Sequence, residues 1–192
     1  WSHTEIVGVV TEGSGTITMQ VTTSGTGAQA DTTSVTYAIP VIESVSPDTV
    51  TTAGGSITIT GYNFYLDSDT VELDGVAVTV TTWDRTSIIG TVAAGIGEDL
   101  VLVVTANGLS SDGVATYSYA LPEATGLSTG TEFNTAGGDS VTITGTSFDT
   151  TEGTVTLGSF NSGAPLTCGT WGHSSIICDL PSGYDSASLV VT

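Results

Sequence analysis

The first residues that could do chemistry are two glycine-rich stretches, TAGGSITITGYNF at 52–64 and TAGGDSVTITGTSF at 135–148. A glycine-rich turn can hold a phosphate group against backbone N–H groups, but such loops end in Gly-Lys-Ser/Thr and open a helix. The chain contains no lysine, and Ile57 and Ile59 alternate with threonines, which is the pattern of a strand. The two stretches therefore predict a structural repeat rather than a phosphate site.

Paired carboxylates are the second feature that could do chemistry. Asp67 with Asp69, and Glu98 with Asp99, occupy predicted turns, where Asp is favoured because its side chain hydrogen-bonds the local backbone. Hard cations such as Ca²⁺ require several oxygen ligands, so a weak Ca²⁺ site at Asp67 and Asp69 stays open beside the turn interpretation. No other cofactor is expected.

Two cysteines and a histidine lie close together in CGTWGHSSIIC at 168–178. Structural zinc sites usually have four ligands, and Cys168, Cys178 and His173 supply fewer, so zinc is not expected here. On the residues alone, a disulfide and a pair of buried thiols both remain open. An oxidised pair would indicate an extracellular compartment, because disulfides persist where the environment is oxidising.

The composition argues against two large classes of partner. Asp and Glu number 20 against one Lys or Arg, which gives a net charge of −19 and repels the phosphate groups of nucleic acids and anionic membrane surfaces. The mean hydropathy is +0.28, but apolar runs such as LVLVV at 100–104 are far shorter than the roughly 18–20 residues of a transmembrane helix. We therefore expect no nucleic-acid partner and no membrane contact in this segment.

The elements that must position these residues repeat along the chain. A tryptophan-centred stretch occurs as WSHTEIVG at 1–8, WDRTSIIG at 83–90 and WGHSSIIC at 171–178, with steps of 83 − 1 = 82 and 171 − 83 = 88 residues. VTYAIP ends at Pro40 and YSYALP ends at Pro122, a step of 122 − 40 = 82. A proline after an apolar residue ends the preceding strand and stiffens the junction.

Unit boundaries are therefore predicted at the two prolines. Residues 1–39 would be the C-terminal half of one unit, 40–121 a complete unit and 122–192 a unit that lacks its last strand. A complete unit of about 80 residues is large enough to bury a core of its own. We expect the array to continue beyond both ends of this window, with each unit contacting mainly its neighbours.

Short strands separated by Gly, Asp, Asn and Ser turns are predicted within the complete unit. LDG at 73–75 and ANG at 106–108 are hairpin signals, and no stretch shows a capped apolar period of 3.6 residues. This spacing is typical of an all-β fold, an immunoglobulin-like β-sandwich, here repeated in tandem in a linear array. The predicted strands are 41–46, 56–61, 70–73, 76–82, 86–92, 99–105 and 114–119.

The opening stretches then have a structural interpretation. We expect positive φ at each Gly-Gly pair, a bend at the glycine that ends the following strand, and burial of the phenylalanine after it. The residues concerned are Gly54, Gly55, Gly61 and Phe64 in the complete unit, and Gly137, Gly138, Gly145 and Phe148 in the later one.

Three basic side chains occupy one repeat position, two residues after each tryptophan. A catalytic histidine would not survive replacement by arginine, and a serine nucleophile would need a base and an orienting acid. One Gly-x-Ser-x-Gly stretch occurs, GLSTG at 126–130, but neither histidine has an evident acidic partner in the sequence. We expect no enzymatic activity, a near-surface position for the basic side chains, and a semi-buried packing role, rather than a sugar platform, for the tryptophans. These residues are His3, Arg85 and His173, after Trp1, Trp83 and Trp171.

The chain resembles the IPT/TIG family, the immunoglobulin-like domains of plexins, certain transcription factors and many microbial surface proteins. The resemblance implies a fold and a modular role more strongly than an activity, since the family is functionally diverse. It also implies a disulfide, because plexin-type IPT domains carry a pair joined across neighbouring strands at the place of Cys168 and Cys178. The matching stretches are SVSPDTVTTAGGSITITGYNF, VELDGVAVTV, TSIIGTV and LVLVVTANGLSS in the complete unit, then TAGGDSVTITGTSF, TVTLGSF, CGTWGHSSIICDLP and ASLVVT.

Hydroxyl side chains are abundant, with 37 threonines and 22 serines. Threonine is a good strand residue, which accounts for part of this number. No Asn-x-Ser/Thr sequence occurs, so any attached sugars would be O-linked. The candidate O-glycosylation sites on outward strand positions or near turns are Thr51, Thr52, Thr58, Thr60, Thr81, Thr82, Thr142, Thr144, Thr150 and Thr151.

These observations predict a structural role in an extracellular fibre, stalk or surface appendage, with neighbouring repeats or other copies of the chain as partners. A second hypothesis is an adhesin or receptor ectodomain in which the units present a ligand-binding region. No long variable loop or exposed aromatic cluster that would favour it is evident from the sequence. A third hypothesis makes the units accessory domains of a secreted polysaccharide-acting enzyme.

Overall fold

The computed structural model describes residues 4–65, 68–127, 132–158, 165–183 and 189–191. Every regular element in these ranges is a β-strand, and the same ranges contain no helix that could cross a membrane. The strands are β1 (Thr16–Thr22), β2 (Ala30–Thr36), β3 (Val41–Ser46), β4 (Thr49–Val50), β5 (Gly55–Tyr62), β6 (Ser68–Leu73), β7 (Val76–Ala77), β8 (Thr79–Trp83), β9 (Ser87–Val92), β10 (Leu100–Ala106), β11 (Leu109–Ser110), β12 (Thr116–Tyr119), β13 (Glu123–Leu127), β14 (Ser140–Thr146), β15 (Val155–Leu157), β16 (Thr167–Gly172), β17 (Ser175–Asp179) and β18 (Leu189–Val191).

The second unit, residues 40–121, is a sandwich of two sheets. One sheet has the order β3-β5-β9-β8, and the other has the order β4-β12-β10-β6-β7 with β11 added to β10. All neighbours are antiparallel except β4 and β12. Alternate side chains of both sheets point inward, among them Ile57, Ile59 and Ile88 from the first and Leu102 and Val104 from the second, each at most 1% exposed. The immunoglobulin-like fold predicted from the sequence is confirmed.

The third unit, residues 122–192, repeats this arrangement in part. Its first sheet has the order β13-β14-β17-β16, and its second sheet pairs β15 with β18. Among the described residues of this unit, no strand corresponds to β12. Its core is a smaller apolar cluster formed by Val141, Ile143, Phe148, Val155, Ile176 and Cys178.

The first segment, residues 4–39, carries a hairpin of β1 and β2 that corresponds to β10 and β12. Tyr37 N–H donates to Gly15 O at 2.9 Å, as Tyr119 N–H donates to Gly97 O at 2.9 Å. The Tyr37 hydroxyl also donates to a backbone carbonyl, that of Thr11, as the Tyr119 hydroxyl does to the carbonyl of Ala93. The 82-residue step therefore holds at the level of single hydrogen bonds.

The predicted strands lie close to the observed ones, with two differences. The predicted strand 76–82 is divided into β7 and β8, because buried Val78 donates its N–H to Val71 O at 2.8 Å between them. The two-residue strands β4 and β11 were not predicted. They are too short to show an alternating pattern, and β4 pairs with β12, which lies far along the chain.

Glycine is required by the turn before the second strand of each unit. Gly54 has φ of +82° and Gly137 has φ of +78°, a conformation that residues with a Cβ rarely adopt. A Cβ on Gly54 would lie 2.3 Å from Val92 O, and one on Gly137 would lie 2.5 Å from Ser182 N. Gly138 also has positive φ, as predicted. The prediction was wrong for Gly55, which begins β5 and needs no left-handed backbone.

The glycine that ends the second strand is required by a close approach between strands. A Cβ on Gly61 would lie 2.0 Å from Val41 O, and a Cβ on Gly145 would lie 2.0 Å from Glu123 O. The ring of the following phenylalanine fills the space on the other side, and Phe64 and Phe148 are 0% and 4% exposed. Burial of the two phenylalanines is therefore confirmed, and close packing rather than a bend alone accounts for the glycines.

Candidate functional site

The position that carries the basic side chains lies on one of two turns that are hydrogen-bonded to each other at one end of each unit. In the second unit these paired turns are residues 62–65 and 84–86, and in the third unit they are residues 146–149 and 172–174. Trp83 Nε1 lies 2.6 Å from the carbonyl oxygen of Phe64 and 2.6 Å from that of Tyr65, and Trp171 Nε1 donates to Phe148 O at 2.7 Å. Both tryptophans are partly buried, which confirms their packing role.

A backbone hydrogen bond completes the link between the paired turns. Phe64 N–H donates to Arg85 O at 3.2 Å, and Phe148 N–H donates to His173 O at 3.1 Å. The backbone that carries Arg85 or His173 is therefore fixed by the same two contacts in both units. At this position the two units share the backbone contacts and differ in the side chain.

At the first junction, the paired turns of the second unit contact the first segment. Arg85 Nη2 lies 2.6 Å from Glu12 Oε1, and Asn63 Nδ2 donates to Ile39 O at 3.0 Å. The hydrogen bond that the Arg85 guanidinium donates to the Glu12 carboxylate raises the pKa of Arg85 above its ordinary value. The side chains of Arg85 and Glu12 are 45% and 59% exposed, so solvent screens this pair and its contribution to stability is small.

At the second junction, the paired turns of the third unit contact the second unit through Thr52. Thr52 Oγ1 accepts a hydrogen bond from Asp149 N–H at 3.0 Å and lies 2.9 Å from His173 Nδ1. A hydroxyl group can accept one hydrogen bond and donate another. The proton of Thr52 Oγ1 is therefore available to His173 Nδ1 when that nitrogen carries none. Thr52 is 4% exposed, whereas Thr135, at the same position in the third unit, is exposed.

The charge of Asp149 is also favoured at this junction. The backbone N–H of Thr150 donates to its carboxylate and is the main reason that the pKa of Asp149 lies below its ordinary value, with further hydrogen bonds from Thr151. The carboxylate therefore remains ionised beside the contact with Thr52 at neutral pH.

One repeat position thus holds the neighbouring unit at both junctions. The sequence predicted a near-surface place for Arg85 and His173 and did not predict this contact. The sequence signal that could have predicted this contact is the exchange of arginine for histidine, because both side chains can make polar contacts from the same backbone position. His3 and Trp1, the third copies of these positions, lie outside the described residues.

The two cysteines are joined by a disulfide in the third unit. The S–S distance is 2.07 Å, and Cys168 on β16 lies directly opposite Cys178 on β17. Cys178 is fully buried among the apolar side chains of this unit. The bond therefore links two strands of one sheet and is placed for reinforcement.

The candidate glycosylation threonines divide into groups by exposure. Thr52 is a correction, because its buried hydroxyl is engaged by Asp149 and His173 and has no room for a sugar. Thr81 and Thr144 donate their hydroxyls to backbone carbonyls. The others are Thr58 and Thr142, which are partly buried, and Thr51, Thr60, Thr82, Thr150 and Thr151, which are exposed as Thr81 is.

The proposed Ca²⁺ ligands are only partly within the described residues. Asp67 lies outside them, and Asp69 Oδ2 accepts a hydrogen bond from Gly108 N–H at 2.6 Å, which supports the Asn-Gly turn between β10 and β11. The described part of the chain contains no group of three or more His, Cys, Asp or Glu side chains that could hold a metal ion.

Solved structures similar to this chain include a plexin extracellular region and a surface glycan-binding protein. The plexin A4 extracellular region is 20% identical with a TM-score of 0.41, and covers 80% of this chain and 16% of its own. The surface glycan-binding protein PbSGBP-B from Prevotella bryantii is 17% identical with a TM-score of 0.41, and covers 81% of this chain and 40% of its own. SGBP-B of a xyloglucan utilisation locus in Bacteroides uniformis is 20% identical with a TM-score of 0.34, and covers 81% and 46%.

The chain spans less than half the length of each of these proteins. No curated protein matches it. The family model of the IPT/TIG domain matches residues 40–119 and 122–192, which begin at the second unit and the third. Together with the two sandwiches and their repeated turns, this match assigns the chain to the IPT/TIG domain family.

Proposed function

We propose that the chain is a structural subunit of an extracellular fibre, stalk or surface appendage. The observation that carries this proposal is the repeated junction, in which the same paired turns contact the preceding unit at both places. The second unit thereby has one end that contacts the preceding unit and another that is contacted by the following one, which is the arrangement a linear array requires.

The connections between units support the same proposal. β2 ends at Thr36 and β3 begins at Val41, while β12 ends at Tyr119 and β13 begins at Glu123. Such short connections leave little freedom for independent rotation. Pro40 is nearly fully buried at the first connection, so this junction is packed rather than solvated.

Three chemical features of the chain support the extracellular location that we propose: its disulfide, its net charge and its exposed threonines. The disulfide suits an oxidising compartment, and the net charge of −19 keeps a protein rich in β-strands soluble. Exposed threonines such as Thr60, Thr82, Thr150 and Thr151 provide hydroxyls for O-linked sugars. The role requires no catalytic step.

Electron microscopy of the native material, at a resolution that follows the backbone between units, tests the fibre. We expect filaments of indefinite length in which successive units make the contacts of Arg85 and His173. Discrete particles that end in a different domain would refute the fibre and move the function to that domain. For the sugars, we expect O-deglycosylation to lower the mass of the native protein, and an unchanged mass would refute them.

A further inference from the structure

A cleft at the first junction brings together aromatic side chains that are distant in the sequence. It has a volume of about 400 Å³ and lies between the first segment and the second unit. Tyr37 lines it from the first segment, and Tyr62 and Tyr65 line it from the second unit, with Glu12 and Arg85 among the polar lining residues. This volume is within the range of about 300–1,000 Å³ that is typical of small-molecule sites.

The lining combines one exposed tyrosine ring and two partly buried ones with hydrogen-bonding groups. The side chain of Tyr62 is 45% exposed, so its ring is available to a ligand. Arg85 has several N–H donors, and its contact with Glu12 engages Nη2. Asn63 and Asn107 add amide groups to the wall. Rings that contact apolar C–H faces, together with groups that bind hydroxyls, are the combination that a sugar requires.

The third unit shows which of these residues the fold itself needs. Both units keep the glycine, phenylalanine and tryptophan that tie the paired turns, but Thr146, Asp149 and His173 stand where the second unit has Tyr62, Tyr65 and Arg85. The second junction forms with these residues in place, through the backbone N–H of Asp149 and the ring of His173. Neither the fold nor the junction therefore requires tyrosine at the two positions.

Tyr37 has a different status from the other two rings. Its hydroxyl donates to the backbone carbonyl of Thr11, and Tyr119 makes the corresponding bond in the second unit. Tyr37 thus belongs to the fold and lines the cleft as well. The rings that are specific to the cleft are those of Tyr62 and Tyr65.

We propose that this cleft binds a neutral oligosaccharide. The net charge of −19 repels acidic sugars, and the Arg85 charge is balanced by Glu12, so the cleft offers no net positive charge to a polyanion. Such a site goes beyond the structural role, because a fibre could form without it.

Binding of neutral sugars to the unglycosylated full chain tests the proposal. Linear pentasaccharides of glucose, mannose and xylose are the probes, followed by titration calorimetry of those that bind. We expect at least one to bind, and the double variant Tyr62→Thr, Tyr65→Asp, which installs the residues of the third unit, to weaken binding by about tenfold or more. Tyr62→Phe, which keeps the ring, should retain most of the affinity.

Two controls make the result decisive. Thr60→Ala, on β5 but not in the lining of the cleft, should leave binding unchanged, and thermal unfolding of the double variant should match that of the wild type. If no probe binds the wild-type chain, or if the double variant binds as well as the wild type, the proposal is overturned. Either failure would leave the electron-microscopic test of the fibre unaffected.

The same sugar chemistry could come from a free saccharide or from an O-glycan on a neighbouring copy. Native glycosylated protein compared with the unglycosylated chain distinguishes the two sources. Weaker binding of the added probe by the native protein would assign the cleft to glycans of its own array, and equal binding would assign it to free saccharides.

Discussion

At the scale of single residues, backbone geometry accounts for the repeated glycine-rich stretch. Gly54 and Gly137 have left-handed backbones against a neighbouring loop, and Gly61 and Gly145 allow a carbonyl oxygen to approach where a Cβ would stand. The phenylalanine three residues later fills the space that the glycine leaves. Each stretch is thus a single packing unit of turn, strand, glycine and ring.

A single methyl group tests this packing. Gly145→Ala should lower the free energy of unfolding of the third unit by about 3 kcal/mol, because the added Cβ meets Glu123 O and the ring of Phe148 and forces both to move. Gly169→Ala is the matched control in the same unit, since a Cβ there has no neighbour within 4 Å. Denaturant unfolding measures both, and equal stabilities would contradict the packing argument.

A buried tyrosine makes stability depend on alkaline pH. Burial is the main reason that the pKa of Tyr117 lies above the ordinary value of 10.0, and its hydroxyl donates to Pro47 O at 2.8 Å. Since the folded-state pKa is raised, the contribution is fully present below the unfolded value and is lost as the pH rises through the folded value.

Tyr117→Phe provides the test of this dependence. The free energy of unfolding of the wild type should fall as the pH rises through about 10 and beyond, and the variant should fall less steeply because one buried hydroxyl no longer titrates. At neutral pH the variant should be less stable by about 1 kcal/mol, through loss of the hydrogen bond. Parallel pH profiles for the two proteins would show that burial of Tyr117 does not shift its ionisation.

Residue roles were predictable where the backbone or the core determined them. The positive φ of Gly54 and the burial of Phe64 follow from the types of residue and their spacing. The burial of Thr52 could not be predicted in this way, because Asp149 and His173, which contact it, lie in another unit, 97 and 121 positions along the chain. Its sequence neighbourhood indicates only a polar turn.

At the scale of strands, the length of a strand and the separation of its partner along the chain determined what could be predicted. Long strands were located within a residue or two, both β5, in which apolar and polar residues alternate, and β10, which is an apolar run. The short strand β4 exists through its parallel pairing with β12, so its own residues hold too little pattern to reveal it. The cleft was also missed, because its three tyrosines come from segments of two different units.

The disulfide between β16 and β17 should stabilise only the unit that contains it. It closes a loop with a sequence separation of 10, so reduction should lower the free energy of unfolding of the third unit by about 2–3 kcal/mol. The second unit contains no cysteine and serves as the internal control. Calorimetry with and without reductant should shift one transition, and an equal shift of both units would contradict this local role.

At the scale of the whole molecule, the junctions are the structural basis of the proposed fibre. Thr52→Val removes the oxygen that contacts both Asp149 and His173 while keeping the shape of the side chain. In a double-mutant cycle with His173→Ala, we expect a coupling energy of about 1 kcal/mol, measured by denaturant unfolding. Thr135→Val, the same change at an exposed position, should show no coupling with His173→Ala. If the effects of Thr52→Val and His173→Ala on the free energy of unfolding are additive, the contact between these two side chains contributes nothing to stability.

The most direct test of a stiff array is the relative motion of two units in solution. Residual dipolar couplings of the full chain give separate alignment tensors for residues 40–121 and 122–192. We predict tensors of equal magnitude and common orientation in the wild type, and a reduced magnitude for one unit in Thr52→Val. Tensors that already differ in the wild type would show that the units rotate independently, and would contradict a structural role based on fixed junctions.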